Sequence, residues 1–187
     1  MSHMRTELSF ANLAGIETEL LAVVAADAQT SKAPDAKPLP VLLTGDETVK
    51  AAAATVFSSG EYKAGANEPL LVHAPAGLAA KRLLIIGLGK QAKATVNHVR
   101  NAVGTAVRFT KPRGIRELAF ALPEAEKLPP GPCARAAVEG AFVGDFDPDT
   151  YRSDRKDQSI QSFTLAGSGN SDQAVLQAAF AEGVIVG

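Results

Sequence analysis

Apolar positions along this chain alternate between short runs and helical stripes. The clearest run is Leu83, Leu84, Ile85 and Ile86, preceded by Lys81-Arg82 and followed by Gly87-Leu88-Gly89-Lys90. Four large aliphatics bounded by charge and glycine predict a strand buried on both faces of a sheet. The glycines predict a turn leading from that strand into a helix. Residues 19–26, rich in Leu and Val, predict a second such strand. Shorter strands are predicted at residues 8–10, 41–43 and 70–73, across Leu118, Phe120 and Leu122, and around Phe163 and Leu165.

Between these runs the period changes to that of a helix. Asp46 is placed to cap a helix with its stripe at Val49, Ala52, Ala53, Val56 and Phe57, ended by Gly60. Thr95 caps another, striped by Val96, Val99, Val103 and Val107. Pro132 suits the first turn of a third, whose buried face is Ala137, Val138, Ala141 and Phe142. Asp172 caps a last helix through Phe180, whose face Val175, Leu176, Ala179 and Phe180 is expected to lie open without a partner domain. Prolines and charges mark residues 29–40 as a loop, and residues 167–170 read as a tight turn. Strand-helix-strand order around residues 83–122 predicts one three-layer α/β domain, a sheet flanked by helices.

Composition narrows the function classes. The 187 residues are 46% hydrophobic and 21% charged, enough for a sizeable aliphatic core; aromatics are 5%, with no Trp. Net charge is -1, so the chain as a whole is not built for a polyanion. The single Cys133 excludes an internal disulfide and suits a reducing, cytoplasmic setting. No apolar run reaches the roughly 20 residues that span a bilayer, so no membrane partner is expected. Residues 1–4 read as a remnant of cloning ahead of a second start, and no signal peptide is evident.

Candidate chemistry is sparse. Gly87-Leu88-Gly89-Lys90-Gln91-Ala92 satisfies the dinucleotide-binding spacing after a strand, which makes Gly87, Gly89 and Lys90 weak nucleotide-binding candidates. The acidic residue expected about 20 positions on is missing, and Gln91 departs from the P-loop pattern, so a structural turn is the better reading. Asp145, Asp147 and Asp149 resemble the start of a calcium loop, but Thr150 and Lys156 stand where its glycine and glutamate belong. His73, His98 and Cys133 have no ligand or catalytic spacing, and Ser168 between glycines lies outside any strand-to-helix elbow. Residues 81–116 carry nine basic side chains and no acidic one, which opens DNA contact through phosphates as an alternative. No catalytic residue and no metal ligand emerges.

Three segments in order resemble the N-terminal domain of the M17 leucyl aminopeptidase (cytosol aminopeptidase) family: FSSGEYKAG at 57–65, RLLIIGLGK at 82–90 followed by Arg100, Ala102 and Gly104, and VEGAFVGDFDPDTYRSDRK at 138–156. AEGV at 181–184 resembles the opening of the family's interdomain helix. The resemblance implies a macrodomain-like mixed sheet over residues 5–170, and in residues 171–187 the start of a linker to an absent C-terminal catalytic domain. It implies a parent enzyme that removes N-terminal residues from peptides with two divalent metals, zinc or manganese, and assembles as a homo-hexamer. This domain would then serve assembly and active-site access, without a cofactor of its own. The alternative it leaves is a module binding an ADP-ribose-like nucleotide or DNA.

Overall fold

Two strands with no polar side chain along most of their length set the architecture. In β2 (Leu20–Asp27) and β5 (Arg82–Lys90), successive side chains point to opposite faces and both faces are dry. Leu20, Ala22, Val24 and Ala26 join Leu84, Ile86 and Leu88 in one core; Leu21, Val23 and Ala25 join Leu83 and Ile85 in the other. The computed structural model describes residues 4–31, 33, 35–146, 158–167 and 172–187. Around the central pair it places β1 (Arg5–Ser9), β3 (Pro40–Leu42), β4 (Pro69–His73), β6 (Glu117–Ala121) and β7 (Ser162–Ala166), with helices α1 (Glu47–Ser58), α2 (Val96–Thr110), α3 (Pro130–Asp145) and α4 (Gln173–Val186).

The sheet runs β1-β7-β6-β2-β5-β4. β1, β7, β6, β2 and β5 are parallel, and β4 closes one edge antiparallel to β5. β6 pairs with β2 at Leu20 to Ala22, and β3 runs antiparallel along Ala25 to Asp27. The larger core lies under α2, α3 and α4, and the smaller one under α1. This is the mixed sheet between helical layers that the sequence predicts. Asp46 caps α1 through the amides of Thr48 and Val49, and Thr95 forms a capping box with His98. Met4, set aside with the three residues before it on sequence grounds, is buried in the larger core.

One expectation is corrected. The strand at 83–86 does not break at the glycines; β5 continues through Lys90, and a short 3-10 helix at Gln91–Lys93 precedes α2. The glycines admit a neighbouring segment. A Cβ on Gly87 would overlap the carbonyl oxygen of Gly65 and lie 2.7 Å from that of Ala64. The Gly87 amide donates to Glu68 O at 2.9 Å and the Gly89 amide to Ala64 O at 2.9 Å. Gly89, at φ 78°, forms a bulge: Ala25 faces Gly87, yet Asp27 faces Lys90. The last helix is also longer than the expected end at Phe180, reaching Val186.

Gly87→Ala is expected to lower stability by about 3 kcal/mol in urea unfolding, because the obstacle is backbone that cannot move aside. Gly15→Ala, where a Cβ would meet nothing within 4 Å, is the reference and should stay within about 0.5 kcal/mol of the parent.

Candidate functional site

Because the central strands exclude polar side chains, polar groups collect where the strands end. Asp27 is the last residue of β2 and Lys90 the last of β5, brought opposite one another by the Gly89 bulge. Lys90 Nζ lies 2.6 Å from Asp27 Oδ2. Asp27 Oδ1 accepts the amides of Gln29 and Leu39, each at 2.9 Å, and so ties both ends of the following loop to the sheet. Beside this pair opens a cleft of about 320 Å³, with Gln29, Gln91 and Lys127 on its polar side and Leu43, Ala94 and Leu128 on its apolar side. Lys127 Nζ donates to Ala92 O at 3.1 Å across the rim. The carboxyl ends of parallel strands are the usual place for a ligand crevice in α/β sheets.

The electrostatics favour structure over catalysis here. Burial by itself would raise the Asp27 carboxyl, but the Lys90 ammonium and the Leu39 and Gln29 amides outweigh it and hold the group below its ordinary value. Both Asp27 oxygens are already occupied by donors, so the group is no free general base. Lys90 is half exposed and keeps N–H bonds to offer. At the opposite end of the strands, the Arg116 amide donates to Glu19 Oε2 at 2.7 Å and is the main cause of that carboxyl's lowered value.

Of the three glycine-segment candidates, Lys90 alone lines the cleft. The Gly87 and Gly89 amides, which a phosphate would need, donate to backbone carbonyls. His98 Nδ1 accepts the Thr95 amide in the α2 cap, and His73 stands exposed at the end of β4. Burial pushes the Cys133 thiol up to about 11, which keeps it protonated and inert. Asp145 accepts the Ile160 amide at 2.9 Å and faces Lys111 Nζ at 3.6 Å; Asp147, Asp149 and Ser168 lie outside the described residues. The basic run at 81–116 disperses as well: Lys90 goes to Asp27, Arg100 to Glu139 at 3.8 Å, and Arg113 stacks over Phe109. Sequence reasoning missed Asp27 and Lys127. The available signal was Asp27 itself, the first charge after an unbroken apolar strand.

Among the described residues no group of three or more His, Cys, Asp or Glu side chains could hold a metal ion. The residues present therefore do not fit the two divalent metals implied for the parent, and no step is routed through them. No described helix is long and apolar enough to cross a membrane.

Comparison with known proteins places this geometry among relatives. Residues 22–155 match the model described as "Cytosol aminopeptidase family, N-terminal domain". A protein of Acidobacterium capsulatum named "Probable cytosol aminopeptidase" is 48% identical over 188 residues, covering 98% of this chain and 37% of its own length. The chain thus spans little more than a third of that relative. Among solved structures, a tomato leucine aminopeptidase mutant superposes with a TM-score of 0.67 at 19% identity, over 95% of this chain and 35% of its own. An Oceanobacillus iheyensis macrodomain with ADP gives a TM-score of 0.62 at 10% identity, over 96% of this chain and 90% of its own. At such identities these two structures speak for the fold alone, and the fold is macrodomain-like.

Asp27 and Glu19 both have folded values below their unfolded ones. Their contribution to stability is complete above the ordinary carboxylate range and is lost as pH falls from that range through the lowered values. Asp27→Asn should cost about 1–2 kcal/mol near neutral pH and flatten the acid limb of the stability curve, read from urea midpoints between pH 2 and pH 7. An acid limb of unchanged slope would remove Asp27 from this account.

Proposed function

This chain belongs to the cytosol aminopeptidase family, whose N-terminal domain it forms, and from that premise we propose that it is the non-catalytic half of a peptide-trimming enzyme. In this reading the domain that follows it removes N-terminal residues from peptides, using two divalent metals, zinc or manganese. The present domain contributes to assembly of a cytoplasmic hexamer and to control of access to the active site.

The observation that carries the reading is the match of residues 22–155 to the family's N-terminal domain, a stretch running from β2 beyond the end of α3. The site supports it from the other side. Asp27 and Lys90 satisfy each other, and the Gly87 and Gly89 amides are bound within the sheet. What the sequence devotes to this region is the joining of β5 to the segment before β4, a scaffold task.

The purified 187-residue chain is expected to show no hydrolysis of a chromogenic leucyl amide with added manganese or zinc, whereas the polypeptide continuing into the catalytic domain hydrolyses it and sediments as a hexamer. Metal-dependent turnover by the chain alone would overturn the division of labour. A fully active monomer of the longer protein would remove the assembly role.

A further inference from the structure

Of the fourteen residues of α4, Gln173, Gln177 and Glu182 are the polar ones. A helix apolar nearly all round is normally covered nearly all round. One side of α4 is covered: Leu176 is fully buried, and Gly183 lies against Val138 and the Arg135 carbonyl of α3. The other side is open. Val184 is 37% exposed, Ile185 84% and Val186 60%. The end of α3 adds Val143 at 49%, and Phe146 just beyond it is 74% exposed.

These residues meet. A depression of about 410 Å³ between the two helix ends is lined by Phe142, Val143, Phe146 and Val186, and Gly187 rests on the Phe142 ring. Five of the seven large apolar side chains exposed among the described residues are therefore at one end of the domain, which is more than scattered exposure accounts for. Charge borders the patch: Arg135 reaches Glu139 at 2.9 Å and Glu182 at 3.5 Å, and Arg100 faces Glu139. An apolar centre inside a polar rim is the anatomy of an interface.

We propose that this patch is the docking surface of the catalytic domain that follows in the same polypeptide, an inference that rests on the aminopeptidase reading above. Two observations select this occupant. The Acidobacterium relative matches 98% of this chain with 37% of its own length, and the matched portion is the family's N-terminal domain, so the remainder follows α4. The last turn of α4 carries Val184, Ile185 and Val186, so the polypeptide leaves this domain through the patch itself. A domain tethered there meets the surface at an effective concentration near millimolar, which a free second copy does not reach.

Cysteine labelling tests this, using sites on the α3 side and away from the connecting helix. Val143→Cys and Phe146→Cys are expected to react with a maleimide about tenfold slower in the longer polypeptide than in the 187-residue chain. Leu39→Cys, exposed and distant from the patch, should react at one rate in both. Equal rates for Val143→Cys in the two proteins overturn the proposal. Protection already present in the 187-residue chain, growing with concentration together with dimer mass in light scattering, assigns the patch to a second copy and also overturns it. Leucyl amide hydrolysis by the longer polypeptide is scored separately. Turnover with unprotected cysteines removes the docking surface and leaves the function; protection without turnover does the reverse.

Discussion

Dryness on both sides of the β2–β5 pair is the constraint from which the rest follows. Every residue from Leu20 to Ala26 is at most 1% exposed, and Leu83 to Ile86 are fully buried. Such strands cannot carry a polar side chain without stranding it from water. They also require a helical layer on each face, which α1 supplies on one and α2, α3 and α4 on the other. The first charges the two strands tolerate after their buried stretches are Asp27 and Lys90, and these emerge at the same end and pair. The cleft and its charges lie at the carboxyl ends because nowhere nearer the middle could hold them.

A second constraint is closeness. With few aromatics, the core fills its volume by bringing backbones together. A Cβ on Gly140 of α3 would overlap the carbonyl oxygen of Arg100 on α2, and one on Gly144 would lie 2.9 Å from the Val107 Cβ. The helices therefore touch backbone to backbone, and Arg100 and Glu139 reach each other beside that contact. The same economy joins the segment at 64–68 to β5 through Gly87. Two of the stretches that carry the family resemblance, around 82–90 and 138–144, are thus explained by contacts between main chains.

How far the sequence could be read depended on what kind of information each residue carried. Aliphatic runs place β2 and β5 because burial on two faces leaves no other composition open to them. Caps place α1 and α2 because Asp46 and Thr95 are the residues that satisfy free amides there. The extent of β5 was not legible. Gly87 and Gly89 look alike in sequence whether they reverse a chain or admit a neighbour, and the neighbour, Ala64-Gly65, is some 20 residues away. The basic run at 81–116 misled for a related reason. It is continuous along the chain, but its partners Asp27, Glu139 and Asp145 lie outside it and come into reach only in the fold. The cleft was hidden because Asp27 and Lys127 are 100 positions apart.

The pairing of β1 with β7 has a consequence in time. Arg5 lies against Ser162 and Ser9 against Ala166, so the first strand to leave the ribosome bonds to the last one made. Through almost the whole of synthesis β1 has no partner, and closing so long a loop is slow even afterwards. Its sequence, RTELS, suits that wait: alternating polar and charged residues keep a lone strand in water and discourage it from pairing with another nascent chain. The edge of this sheet is written for the minutes before the protein exists as much as for the folded state.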